Sequence, residues 1–335
     1  MKKRILFYAS TSDISLFLTK SFYSINIELL KDIGYHVIAT NKMLPFLRKN
    51  EYDIAFLYFF KKSFFPCFIA RILGKKIYIT GGLDELNRES TIIWKYIRQC
   101  IFFTGCYLFS TKSLIESNSD LKNIYKILHK DIYNKLVFFP MCLAKNIENF
   151  KFGLKNKTVF STICWFGDGQ INLLRKGVDK ALKVFAELIK IPEYKNSCFY
   201  IVGKNGRKNK HLAVIINKLC LHENIIITDE ISTNDKYEIL SKSKYYFQLS
   251  KYEGFGLAAL EALYFENIVI HSNKGGLSDF LMKYGIIYDE NTEDIKQLYA
   301  KMSSFDENCF KEAKDNIMQH YTYNIRKNKL LEIIE

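Results

Sequence analysis

Short apolar runs of strand length alternate with helical-length segments along the whole chain. In the first half the runs are "RILFYA" (4–9), "YHVIAT" (35–40), "DIAFLYFF" (53–60), "KIYIT" (76–80) and "KLVFFP" (135–140). Longer segments, for example 13–33 and 87–103, separate them and predict helices. The second half repeats the rhythm with "TVFSTICWF" (158–166), "CFYIVG" (198–203), "NIIIT" (224–228), "KYYFQLS" (244–250), "NIVIHS" (267–272) and "GIIYD" (285–289). Apolar strands alternating with helices predict parallel sheets covered on both faces. Two such series predict an α/β protein of two doubly wound, Rossmann-like domains facing each other across a cleft. The boundary is expected after Pro140, in the polar stretch 144–158, so that the first domain spans 1–150. Open parallel sheets bind ligands beyond the carboxyl ends of their strands, so the motifs are expected at that cleft.

The length of 335 residues fits two domains, and a hydrophobic content of 48% gives each half a core. No apolar run reaches the roughly 18 residues of a spanning helix. The start, "MKKRILFYAS", reads as a first strand rather than a signal segment, because charges return at Asp13 and Lys20. A cytoplasmic location is therefore expected. The eight cysteines contain no CxxC, so neither a zinc site nor a disulfide framework is expected. Abundant Lys, Ile, Asn, Phe and Tyr with four Pro suggest an AT-rich, bacterial genome. The net charge is +14 and uneven: residues 1–150 hold 22 Lys and Arg against 12 Asp and Glu, the rest 27 against 23. A basic first half can attract nucleic acid, an anionic membrane or a phosphorylated substrate.

Four motifs carry candidate chemistry. In "KYYFQLSKYEGFGLAALEALYF" a strand ends near Ser250, Gly254 and Gly256 permit a turn, and a helix starts near Leu257. The first amides of that helix suit a phosphate. Glu253 lies in the turn. Glu261 lies one turn into the helix on the face of Leu257, where an ionised carboxylate needs partners. A ribose diol could supply them, and so could a nearby Lys or a solvated gap. "GFGLAA" also matches GxGxxA, a dinucleotide pattern, but it comes late, and the first strand's turn has no glycine. The second motif, "LLRKGVDKALKVFAELIK" (173–190), sets Arg175 and Lys176 before Gly177 and a helix with apolar positions 178, 181, 182 and 185. Two cations there can hold a diphosphate. The third, "IVGKNGRKN" (201–209), has Gly203 in a turn after a strand; the fourth, "HSNKGGLSDFL" (271–281), begins a helix at Gly275-Gly276.

The order and spacing of the four resemble the nucleotide-sugar domain of the retaining glycosyltransferases of family 4, among the glycosyl transferases group 1, which have the GT-B fold. "EGFGLAALEAL" is similar to that family's E-x7-E element. "LKDIGYHVIATN" and the segment 53–80 resemble its acceptor domain, and "HYTYNIRKNKLLEIIE" its terminal helix, which crosses back to the first domain. The resemblance implies a nucleotide-sugar domain over 151–317 and that helix over 318–335. It implies that Glu253 contacts the donor sugar near the reacting carbon and that Glu261 binds the ribose. Lys176, with Arg175 beside it, would contact the diphosphate. Gly254, Phe255, Gly256 and Leu257 would line the sugar and phosphate pocket through their amides, with Gly203 nearby. Ser10, Thr11, Gly81, Gly82 and Asp84 fall where the acceptor side is expected.

Two departures stand out. The family's Arg, about half a dozen residues before the Lys, has no counterpart in "WFGDGQINLL", and "ITGGLDEL" offers Gly81 where many members carry a His. No DxD occurs, so a metal bridged by that motif is not expected. The expected partners are a nucleotide-sugar donor, which is a substrate and no cofactor, and a glycan or lipid-linked acceptor, in bacterial surface polysaccharide synthesis. "FFKKSFFPCFIARILGKK" (59–76) and "IIWKYIRQCIFF" (92–103) mix cations with large apolar side chains, as peripheral segments on an anionic membrane do. Buried helices with Lys-rich ends would look the same. An inactive nucleotide-sugar-binding module, an NAD-dependent oxidoreductase and a basic nucleic-acid-binding protein remain as alternatives. No nucleic-acid reader motif is present to support the last.

Overall fold

The computed structural model describes residues 3–128, 134–166 and 169–334. The chain forms two compact units: residues 1–145 with 319–335, and residues 146–318. In the first unit the strands are β1 (Arg4–Ala9), β2 (His36–Thr40), β3 (Ile54–Tyr58), β4 (Lys76–Thr80), β5 (Lys112–Ile115) and β6 (Leu136–Phe138). They form one parallel sheet in the order β2-β1-β3-β4-β5-β6. The apolar runs become its buried centre: every residue of β3 is buried, and Phe7 of β1 stacks on Phe56 of β3. β5 was not expected, since "KSLI" is a short run opened by Lys and Ser.

Helices deviate from the expected bounds in two places. The segment 13–33 is broken at Lys20 into Leu16–Thr19 and Ser21–Asp32, because Lys20 is extended. The helix expected over 87–103 runs instead over Ile93–Phe109, where Phe103, Cys106 and Tyr107 are buried. The polar residues before it form a short turn at Asp84–Leu86.

The second unit holds β7 (Asn156–Ile163), β8 (Cys198–Val202), β9 (Ile225–Thr228), β10 (Ser243–Gln248), β11 (Ile268–His271) and β12 (Ile286–Ile287). Its sheet is also parallel, in the order β12-β11-β10-β7-β8-β9. From β7 the chain builds outward through β8 and β9, then returns to the other side of β7 for β10, β11 and β12. The order therefore reverses between β7 and β10, the place where a doubly wound sheet opens a crevice at its carboxyl edge. Phe160 of β7, between Tyr245 and Phe247 of β10, packs the sheet directly beneath that edge.

Candidate active site

Three loops meet at the carboxyl end of β10. The first leaves the helix Gln170–Arg175 and passes through Lys176 and Gly177 into the helix Val178–Leu188. It is tied to the exit of β10 by Lys251 N–H donating to the Arg175 carbonyl (2.9 Å) and by Ser250 Oγ 3.2 Å from the Lys176 carbonyl. Gly177 has φ +67°, and a Cβ there would lie 1.9 Å from the Leu249 carbonyl oxygen, so only glycine permits the approach. The second loop is the exit of β10 itself, ending in the helix Leu257–Tyr264. The third follows β11: Gly276 N–H donates to the Glu253 carbonyl (2.8 Å). A Cβ on Gly275 would meet the same oxygen at 2.1 Å.

These ties hold Glu253 in the middle. Its carboxylate accepts from Lys176 Nζ through both oxygens (2.7 and 2.6 Å), from Ser250 Oγ (2.7 Å) and from Gln248 Nε2 (2.9 Å). Tyr246 Oη donates to Gln248 Oε1 (2.9 Å) and continues the chain into the sheet. Burial pushes the Glu253 carboxyl up, but the charges of Lys176 and Arg175 and the hydrogen bonds from Lys176 and Ser250 outweigh it, leaving it below the ordinary glutamate value. Glu253 is thus ionised at neutral pH. The Lys176 side chain is the more open member of the pair, 21% exposed against 7%. The pair therefore presents a cation outward.

Glu261, on the helix Leu257–Tyr264, forms a second such pair. Both of its oxygens accept from Lys236 Nζ, at 2.6 and 2.7 Å. The buried carboxylate thus faces a Lys, one of the partners open to it from the sequence. Cys164, at the exit of β7, is buried, and burial holds its thiol up at about 12, so it is no nucleophile at neutral pH.

Of the candidate residues, Arg175, Lys176, Glu253, Gly254, Phe255, Gly256, Leu257 and Glu261 lie on the first two loops and the helix that follows. The Phe255 side chain is turned into the unit, 5.4 Å from the Phe280 ring, so only its backbone can serve a ligand. Gly203 lies against the Cys164 carbonyl, at the neighbouring exits of β8 and β7. Gly167 and Asp168, within the stretch lacking the family's Arg, lie outside the described residues. In the first unit Ser10 and Thr11 follow β1, and Gly81, Gly82 and Asp84 follow β4, at the same carboxyl edge of that sheet. Asn41 Nδ2 donates to the Thr11 carbonyl, at 3.0 Å.

Gln248, Ser250 and Lys236 were not among the sequence candidates. Gln248 and Ser250 continue the face of Tyr246 by strand alternation, a run of polar groups at the end of an apolar strand. Lys236 stands four residues before the buried Leu240, a cation on the apolar face of the helix Thr233–Lys242.

The two parallel, helix-covered sheets are those of the GT-B fold. Residues 172–324, which contain all the second-unit candidates, match the family model described as "Glycosyl transferases group 1". Sucrose-phosphate synthase from Thermosynechococcus elongatus is similar with a TM-score of 0.74 and 12% identity, over 99% of this chain and 98% of that one. The Anabaena protein HepE, in complex with UDP and glucose, has a TM-score of 0.72 and 12% identity, over 98% of both chains. WaaG, a glycosyltransferase involved in lipopolysaccharide biosynthesis, has a TM-score of 0.67 and 12% identity, over 98% of this chain and 99% of that one. No curated protein matches the sequence at a significant level.

Proposed function

We propose that the protein is a retaining family 4 glycosyltransferase that moves a sugar from a nucleotide-sugar donor to a glycan or lipid-linked acceptor, without a metal. The observation that carries the proposal is the Lys176–Glu253 pair, with Arg175 beside it, at the strand-order reversal of a group 1 glycosyltransferase domain. Cleaving an anomeric C–O bond leaves an oxocarbenium-like sugar and a diphosphate. Lys176, Arg175 and the amides at the start of the helix Leu257–Tyr264 neutralise the departing anion. Glu253, held ionised, sets the position of Lys176 and opposes the positive charge that develops on the sugar. Glu261 takes the ribose. Retention is carried over from the family 4 resemblance. The crystallised complex of HepE with UDP and glucose makes UDP-sugars the first donors to test.

On the acceptor side we place Ser10, Thr11, Gly81, Gly82 and Asp84. Among the described residues no helix is long and apolar enough to cross a membrane. The first unit does carry an exposed apolar face. Phe65, Phe68 and Ile72 of the helix Phe64–Ile72, and Trp94, Ile97 and Ile101 of Ile93–Phe109, are all exposed. The two helices pack through Phe64–Phe102 and Phe68–Phe109. Exposed Lys62, Arg71, Lys95 and Arg98 accompany them. Apolar anchors among cations suit the cytoplasmic face of an anionic membrane and a lipid-linked acceptor, and with it a role in bacterial surface polysaccharide synthesis such as that named for WaaG.

A donor panel tests the proposal. Nucleotide release from UDP-, GDP-, ADP- and CMP-sugars is followed with and without membrane extract, each in excess EDTA. Release from one donor, stimulated by extract and indifferent to EDTA, is expected. Loss in EDTA that magnesium or manganese restores would show that a metal neutralises the leaving group.

A further inference from the structure

Glu261 sits in the helix Leu257–Tyr264 with buried neighbours on either side, Leu260 and Ala262. Its side chain is 3% exposed. A carboxylate so placed takes up a proton or demands a counter-charge. Lys236 supplies the charge from a different helix, Thr233–Lys242, at 2.6 and 2.7 Å to the two oxygens. The helix start fixes the lysine: Ser232 caps it by accepting from Asp235 N–H (3.1 Å). The Lys236 ammonium also stands 4.8 Å from the Tyr237 ring centroid.

A vicinal diol offers two O–H donors and needs two acceptor oxygens. An ionised carboxylate has them; a protonated one gives up an acceptor and adds a donor. The ammonium has three N–H groups, two of them directed at Glu261, and Lys236 is the more open partner, 14% exposed. The pair therefore carries acceptor lone pairs and a spare donor at one spot.

We propose that Lys236 is a positioning residue of the donor site, holding Glu261 aimed so that its carboxylate reads the ribose diol of a nucleoside diphosphate. This rests on the donor-site reading given above. Lys236 makes the ribose, rather than the deoxyribose, the recognised sugar of the nucleotide.

The test is calorimetric titration of UDP against 2′-deoxy-UDP, with GDP and ADP and their 2′-deoxy forms in parallel. The wild type, Lys236→Met, Lys236→Arg, Glu261→Gln and the double variant Lys236→Met/Glu261→Gln are compared, each checked by thermal melt. The wild type is expected to prefer the ribonucleotide about tenfold, the worth of one hydrogen bond to a charged group. Lys236→Met should bind it about tenfold more weakly and lose the preference, while Lys236→Arg, which keeps a charge able to span both oxygens, keeps it. The double variant removes both charges, so it is expected to fold even if Lys236→Met does not. It should bind like Glu261→Gln alone.

Three outcomes would overturn the assignment of Lys236 and leave the donor site standing. They are an unchanged preference in Lys236→Met, tighter UDP binding in that variant (the mark of a competitor), and losses in the two single variants that multiply in the double. A wild type that binds the ribo and deoxy forms equally would refute the ribose role of Glu261 together with that of Lys236. A wild type that binds no nucleoside diphosphate would sink the donor site itself.

Discussion

Glu253 keeps its charge where burial alone would remove it. Lys176, Arg175 and the Ser250 hydroxyl offset that burial, and the result is a fixed anion under a more open cation. Glu253→Gln keeps the shape and removes the charge. It is expected to lower kcat about 100-fold, the scale of one electrostatic group acting at the transition state, with UDP affinity unchanged or tighter. Weaker UDP binding with kcat intact, read by titration and steady-state kinetics, would contradict this role. The spacing of Glu253 and Glu261 and the cations 175 and 176 were visible in the sequence. Their partners were less so. Lys236 and Glu261 are 25 residues apart on separate helices, and a sequence fixes the face of each helix but not the register of one against the other.

At the scale of elements, β11 ends on His271, fully buried, whose Nδ1 accepts from Asn273 N–H (3.2 Å). The neutral ring thereby fixes the start of the loop that carries Gly275 and Gly276 to Glu253. Burial lowers its pKa to about 4 from 6.5. In between, the unfolded chain binds a proton that the folded chain refuses, so its stabilising share is present above about pH 6.5 and is lost as pH falls towards 4. His271→Leu should remove about one proton from the pH dependence of the second unit's unfolding across that window, measured by urea titrations at several pH values. An unchanged slope would mean that His271 titrates alike in both states.

The helices Phe64–Ile72 and Ile93–Phe109 are the other element with a consequence. Flotation with anionic vesicles at low salt should carry the wild type and fade as salt is added, and Phe65→Ser/Trp94→Ser should abolish it without lowering the melting temperature. Equal flotation with neutral vesicles would contradict the charge-assisted part. Long apolar strands were legible because burial on both faces leaves no polar alternation to confuse them. β5 escaped because its four residues include Lys112 and Ser113. Its place in the sheet comes from pairing with β4 and β6, a long-range fact.

On the scale of the whole molecule, the chain leaves the second unit at 318 and ends in the first. Arg326 of the helix Tyr323–Ile334 fastens that end. It is 3% exposed, donates to the Phe139 carbonyl (2.9 Å), the Pro140 carbonyl and Asn26 Oδ1 (2.9 Å), and lies 3.7 Å from the centroid of the Phe139 ring. Tyr323 Oη adds a bond to Asp32, and the Leu143 amide one to the Tyr321 carbonyl. Arg326→Leu leaves three acceptors without their charged donor and should cost the first unit on the order of 3 kcal/mol. Hydrogen exchange of β1 and β3 should report that loss, and unaltered protection there would show that the helix only rests on the unit.

Sugar transfer itself is tested most directly by single-turnover release of nucleoside diphosphate from the preferred donor, in the presence of membrane extract, for the wild type and Lys176→Met. The wild type should release it in step with sugar appearing on an acceptor, and Lys176→Met should be slower by about 100-fold or more while still folded. Equal rates in the two proteins, or no release from any nucleotide-sugar by the wild type, would contradict a glycosyltransferase driven by the Lys176–Glu253 pair.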